Sequence, residues 1–450
     1  EIAGTLTRLS AEITGYLEIL RSRARLFGII KDELLAAKAA HATPRRTIIL
    51  EDAPGVEDED LIQRDEMVVT VSHLGYVKRV PLAAYRAQRR GGKGRSAMQT
   101  RDEDFVARLF IASTHAPVLF FSSRGQVYKE KVWRLPLSAP QARGKALVNL
   151  LPLAENERIT TIMPLPEDEA AWETLDVMFA TTSGSVRRNK LSDFVQVHRS
   201  GKLAMRLDEG EEIVDVQICT DADDVLLTTA NGQCIRFPVT EVRVFKGRDS
   251  MGVRGIALSA GDRVIALSIL RHIDAESGER LAYLKMRRAI AGEVLLESGE
   301  AAADEAAGDE TPGQSISPER YARMSAAEQI ILAISANGYG KRTSSYEYRI
   351  TGRGGKGIVA MAVNQRNGKL VAAMPVEEGD EIMLVTDGGK LIRCPVDGIR
   401  IAGRTAQGVI VFDTGEGEQV AAVERITEEV GARPDGEAAK NGGTEQKDSG

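Results

Sequence analysis

The chain has 450 residues, of which 43% are hydrophobic and 28% charged, with a formal net charge of -6; this is ordinary globular material, enough for two or more domains. Its three cysteines, Cys219, Cys234 and Cys394, lie far apart with no C-x-x-C pair, so neither a disulfide framework nor a zinc site is suggested, and a reducing, cytoplasmic setting is expected. No run approaches the ~20 consecutive apolar residues of a membrane span and no basic-then-apolar leader is present, so no membrane partner is expected.

The first element is helical. Leu6, Leu9, Ile13, Leu17, Leu20, Phe27, Ile30 and Leu34 recur at steps of three, four and seven, the stripe of an amphipathic helix or helix pair, which ends near Pro44 because proline cannot continue a helix. Residues 1–47 are therefore assigned as a helical segment that packs against something else. The sequence opens at Glu1 inside this pattern, which suggests a segment of a longer protein. An acidic linker, 48–66, follows.

The acid is segregated along the chain. Glu51 to Glu66 carries eight acids and one arginine, Gly292 to Thr311 seven acids and no base, and Asp413 to Gly450 ten acids and four bases. Without these three segments the rest of the chain stands at +14. A basic body with acidic appendages suggests a polyanion partner.

That body, 67–427, is an internal repeat. "VTVSHLGYVKR" (69–79), "LFFSSRGQVYK" (119–129), "MFATTSGSVRR" (178–188), "LLTTANGQCIR" (226–236), "LAISANGYGKR" (332–342) and "MLVTDGGKLIR" (383–393) each pair an apolar β-prone run with a Ser or Thr, a glycine three residues on, and a second short strand. This is a β-hairpin signature, with Gly75, Gly125, Gly184, Gly232, Gly338 and Gly389 supplying the positive φ of a tight turn. Six units of about 50 residues, poor in helix signals, predict a mainly β, radially repeated fold. An acidic insertion, about 286–328, separates units 4 and 5, and a tail, 428–450, is predicted disordered from its composition.

Two basic features recur with the repeat. Four residues after each hairpin glycine stands Arg79, Lys129, Arg188, Arg236, Arg342 or Arg393; one fixed offset on equivalent strands puts all six on the same face, so a basic belt is expected. Downstream, each unit carries a second glycine cluster: "RRGGKG" (89–94), "QARGKA" (141–146), "HRSGKL" (198–203), "SMGVRG" (250–255), "GRGGKG" (352–357) and "AGRTAQG" (402–408). In the first, Gly91, Gly92 and Gly94 would let the backbone pass close to a phosphate chain that Arg89, Arg90, Lys93 and Arg95 neutralise. Arg143, Lys145, Lys202, Arg353 and Lys356 are the corresponding candidates in later copies. No Walker loop fits, because the residue five before Gly92 is Ala87 and Gly94 follows Lys93. The five histidines show no catalytic or metal pattern, and His73 and His115 read as surface or turn residues.

The stretch "SHLGYVKRVPLAAYRAQRRGGKG" resembles the first blade of the DNA gyrase A C-terminal domain family, and "QRRGGKG", Gln88 to Gly94, is similar to that family's diagnostic box at all seven positions. The resemblance covers essentially the whole chain. It implies a six-bladed β-pinwheel, a propeller-like fold, preceded by the returning end of an α-helical coiled coil, with duplex DNA wrapped around the rim in positive handedness. It also implies, as partners in an A2B2 heterotetramer, the remainder of the gyrase A subunit together with the gyrase B subunit. ATP and Mg would be bound by other parts of that assembly, and the nucleophilic tyrosine would lie upstream, so this chain wraps DNA without cleaving it. The wrapping domain of topoisomerase IV is an alternative, disfavoured by the intact box and six repeats. A protein-binding propeller would leave the aligned bases unexplained.

Overall fold

A computed structural model of the chain describes residues 2–43, 58–84, 106–247, 250–290, 316–387, 391–415 and 417–426. They form two units, one up to Leu61 and one from Ile62 onward. The first holds helices α1 (Ile2–Arg21) and α2 (Arg23–His41), separated at Ser22, whose hydroxyl accepts from the Arg25 amide at 3.4 Å and caps α2. The apolar stripe is present but uncovered: none of the residues of either helix is buried, and Leu6, Ile13, Phe27 and Leu34 are all exposed.

The second unit is built of six antiparallel sheets. In blade 1 the hairpin strands Glu66–Ser72 and Tyr76–Pro81 pair with each other, Val106–Ser113 flanks the first of them, and the two-residue strand Lys145–Ala146 flanks the second. That last strand comes from unit 2. The exchange repeats down the chain, with Lys202–Leu203, Val253–Arg254, Ile358–Val359 and Val409–Ile410 completing blades 2 to 5 from the unit that follows each. Blade 6 has three described strands, Glu381–Thr386, Leu391–Pro395 and Val420–Ile426.

Local chemistry explains the hairpins. The five described turn glycines hold φ between 76° and 85°, where a side chain is strained. The Ser or Thr three residues earlier closes each turn: Ser72, Ser122, Thr181 and Thr229 accept from the amides of Tyr76, Gln126, Ser185 and Gln233 at 3.1–3.2 Å. The glycine carbonyl then takes an amide of the next unit, Leu147, Ala204, Gly255, Ala360 or Val411. At Gly338 a Cβ would lie 1.9 Å from the Phe412 oxygen, so the hairpin glycine is also the docking point of the following unit. Gly389 lies outside the described residues.

The strands on the opposite side of each hairpin pack on one another around the centre, and that of blade 6, Val420–Ile426, packs on that of blade 1, Val106–Ser113, closing the ring. Arg108 in blade 1 donates to the Ile162 carbonyl of blade 2 at 3.3 Å. Burial raises the pKa of Glu424 in blade 6, with Arg108 opposing and Asp215 of blade 3 adding to the rise.

The cores lie between blades. Phe121 of blade 2 meets Phe179 of blade 3 edge-on at 5.5 Å and Phe194 at 5.7 Å, all three fully buried. Phe121→Ala should cost about 3–5 kcal/mol in a denaturant titration, the usual range for a buried phenylalanine truncated to alanine, because two blades lose packing together. A loss under about 1 kcal/mol would show that this junction contributes little.

The acidic insertion has roots the sequence reading missed: α3 (Ser277–Ile290) and α4 (Pro318–Ala327) bracket it. Buried Tyr283 and Leu284 of α3 and Met324 of α4 pack on Tyr346 of blade 5. The signal was available, since Ser317 followed by Pro318 is a helix start with proline at the first position.

Candidate nucleic-acid interface

The aligned bases are not a surface belt, which corrects the expectation. Arg188 and Arg236 are 4% exposed. The Arg236 guanidinium bonds Asp224 Oδ2 through Nε at 2.9 Å and donates through Nη1 to the Ser345 carbonyl of unit 5 at 2.8 Å; Asp224, fully buried, also holds His272 Nδ1 at 2.8 Å. Arg188 engages Asp176 in its own blade, Asp221 in the turn that leads to the next, and the Val239 carbonyl of unit 4 at 3.4 Å; burial works against its charge, but the hydrogen bonds to the two carboxylates outweigh that and raise its pKa. Arg79 donates to the Leu135 carbonyl at 2.8 Å, Arg342 to Ile399 at 2.6 Å, and Lys129 to Val195 at 2.7 Å and Glu169 at 2.5 Å. All five therefore reach into the following unit. Arg393, the sixth, is exposed and pairs with Glu381 in its own blade. The common face is real, but it is an inter-blade face, and the offset recurs because the same joint is built repeatedly. His115, read as a surface or turn residue, stands in a turn and is 7% exposed, with its ring nitrogen 3.1 Å from the Thr114 hydroxyl. His73 is exposed.

The second glycine cluster lies where a rim contact requires. Each described copy leads into the exchanged strand, the outermost of its sheet. The glycine immediately before that strand, Gly144, Gly201, Gly252, Gly357 or Gly408, has φ between 76° and 87°. At four of the five a Cβ would fall 2.2–2.5 Å from a carbonyl of the preceding blade, and at Gly201 it would meet the Tyr128 ring. Glycine is thus required for strand exchange itself, before any ligand is considered.

Among the candidate bases in these loops, Lys145 and Lys356 are exposed, and half-buried Arg143 stacks over Tyr76 at 5.3 Å. Lys202 is spent largely on its own loop, donating to the Asp193 and Gln196 carbonyls at 2.7 Å. Arg353 is exposed but bonds the Glu241 carbonyl at 3.0 Å and that of Arg254 at 3.1 Å. The first copy, Gln88 to Gly94 with Arg95, lies outside the described residues. Arg199, Lys246 and Arg254, exposed in or beside the same clusters, were not singled out from the sequence. Aligning the clusters on Gly144, Gly201, Gly252, Gly357 and Gly408 would have found them.

The comparisons agree with this architecture. The family model described as DNA gyrase C-terminal domain, beta-propeller matches six times, at 66–113, 116–166, 175–220, 223–271, 329–377 and 380–427, together more than half of the chain. The chain belongs to that family. The DNA gyrase A subunit of Rickettsia conorii is 47% identical over 97% of this chain and 48% of its own length, and that of Escherichia coli is 38% identical over 86% of this chain and 37% of its own. The chain spans about half the length of the curated relatives it matches. Two solved structures share the fold: the C-terminal domain of DNA topoisomerase IV, with TM-score 0.60 and 20% identity over 81% of this chain and 94% of that one, and a DNA gyrase A C-terminal domain, with TM-score 0.53 and 21% identity over 81% and 100%.

The matched segments fall on the blades and leave out 272–328, so the α3–α4 insertion is an addition to the family's repeat. Among the described residues no group of His, Cys, Asp or Glu could hold a metal ion. No described helix is long and apolar enough to cross a membrane.

Proposed function

We propose that this chain is the DNA-wrapping part of a gyrase A subunit, binding duplex DNA along its outer rim and presenting a segment for strand passage, so that the ATP-dependent enzyme introduces negative supercoils. The observation that carries this reading is the recurrence, at the outer edge of a closed six-bladed ring, of a glycine-turned loop bearing bases. Such a rim follows a curved phosphate backbone, and among the described residues it carries no element for reading base edges, so recognition rests on charge and DNA curvature. In this reading the Gln88–Gly94 box is the unit 1 member of the rim. The remainder of the gyrase A subunit supplies the cleaving tyrosine, and the gyrase B subunit supplies ATP binding in an A2B2 assembly.

The test is the salt dependence of duplex binding by the 450-residue chain. Six phosphate contacts, one per unit, give a slope of log K against log salt of about -5, at about -0.9 per phosphate. A slope shallower than about -2 would leave too few contacts for a wrapped duplex and would refute the rim.

A further inference from the structure

Three residues after the hairpin glycine, one position before the inter-blade strut, the six units carry Lys78, Tyr128, Arg187, Ile235, Lys341 and Ile392. The cations occupy units 1, 3 and 5, and all three are fully buried. What they bond is a shared target. Lys78 Nζ donates to the Pro140 carbonyl and, at 3.4 Å, to that of Ala139; Arg187 donates to Gly247 and, at 2.5 Å, to Ser250; Lys341 donates to Arg404 and, at 2.8 Å, to Gly403. These carbonyl acceptors all belong to the next unit's rim loop, a few residues before its strand-starting glycine; Arg187 donates in addition through Nε to Asn189 Oδ1 of its own strand at 2.8 Å. In the remaining described loops the preceding blade offers an apolar or aromatic side chain, Tyr128 or Ile235, and the loop is tied by its own base instead, Lys202 in unit 3 and Arg353 in unit 5.

We infer that Lys78, Arg187 and Lys341 are positioning residues for DNA wrapping, buried cations that fix the rim loops of units 2, 4 and 6 from beneath, next to the exposed bases Lys145, Lys246, Arg254 and Arg400 that are left for phosphate. This rests on the rim reading above. The chemistry supports a positioning role. A cation in a dry site with carbonyl partners loses much of its hydration energy, which an apolar side chain of similar volume would not do, so what it contributes is the geometry of the carbonyls it gathers. Lys341 shows the penalty most clearly: burial lowers its pKa to about 7, with the Glu347 charge opposing. Burial lowers that of Lys78 as well.

The experiment compares the 450-residue chain with K341M, K341R and K78M by amide hydrogen exchange, and by the superhelical turns trapped when nicked circles are ligated with the chain bound. K341M should speed exchange in 402–408 by about tenfold while the rim loop of unit 3 stays unchanged, as expected when the hydrogen bonds closing a local segment are lost. K78M should do the same at 139–144. Both should trap fewer turns while binding a duplex too short to wrap as tightly as the parent, and K341R should restore both readouts. A folded K341M or K78M with parental loop exchange overturns the inference, as does loosened exchange with undiminished turns. If the methionine variants and K341R all fail to fold, the cations serve global stability and the positioning role falls. If the parent chain traps no turns, the rim reading fails instead, while the exchange data still decide whether the loops are held from beneath.

Discussion

Arg236→Ala is expected to destabilise the propeller by about 3–5 kcal/mol, the range for removing one partner of a buried ion pair. The substitution leaves Asp224 fully buried with the His272 ring as its remaining side-chain neighbour, and it frees the carbonyls of Ser345 and Arg271. Two consecutive units lose their joint at once. The folded fraction should bind duplex DNA with an unchanged salt slope, because a guanidinium turned toward Asp224 does not neutralise phosphate. A surface contact would do the reverse, leaving stability nearly untouched and making the slope shallower by about one. Denaturant melts of Arg236→Ala and Arg188→Ala, paired with binding at two salt concentrations, separate the two roles. A variant of parental stability with a shallower slope would restore the basic belt.

That contrast marks where the sequence was legible. The six hairpins could be read because each requirement is local: a glycine for the positive φ, a hydroxyl three residues earlier to cap the turn, and an apolar, β-prone run before it. The aligned bases could be counted, but their direction could not. Whether a strand residue faces solvent or the neighbouring blade depends on where the next unit docks, and Asp224 and Asp176 stand in an adjacent strand, twelve residues before their arginines. The glycine clusters were legible as loops, whereas the strand exchange was not, since two residues such as Lys145–Ala146 carry no periodicity. Helices α3 and α4 were overlooked because the acidic run between them dominated the composition of the segment.

Replacing Gln88 to Gly94 with alanines should abolish supercoiling by the assembled enzyme while leaving relaxation and most DNA binding intact. In the repeat alignment Gly94 takes the position of Gly144, Gly201, Gly252, Gly357 and Gly408, and each of these five opens the strand that completes the preceding blade. The inner strands close blade 6 onto blade 1, so the blade preceding unit 1 around the ring is blade 6, the one with three described strands. By its place in the repeat, the proposed role of the box has two parts. Its glycine suits a ring-closing junction, and Arg89, Arg90 and Lys93 are the densest set of bases in any copy. Losing three bases can shift the salt slope by at most about 3, so a rim with other contacts still binds. What is lost is the continuity of the rim across the junction, on which a complete wrap and the direction of strand passage depend, whereas relaxation needs only cleavage and passage. The decisive measurement is a topology assay with the variant joined to its missing domains and to the gyrase B subunit. Supercoiling at the parental rate would show that the wrap closes without the box; loss of relaxation along with supercoiling would show that the substitution damaged the enzyme generally and would refute a role confined to wrapping.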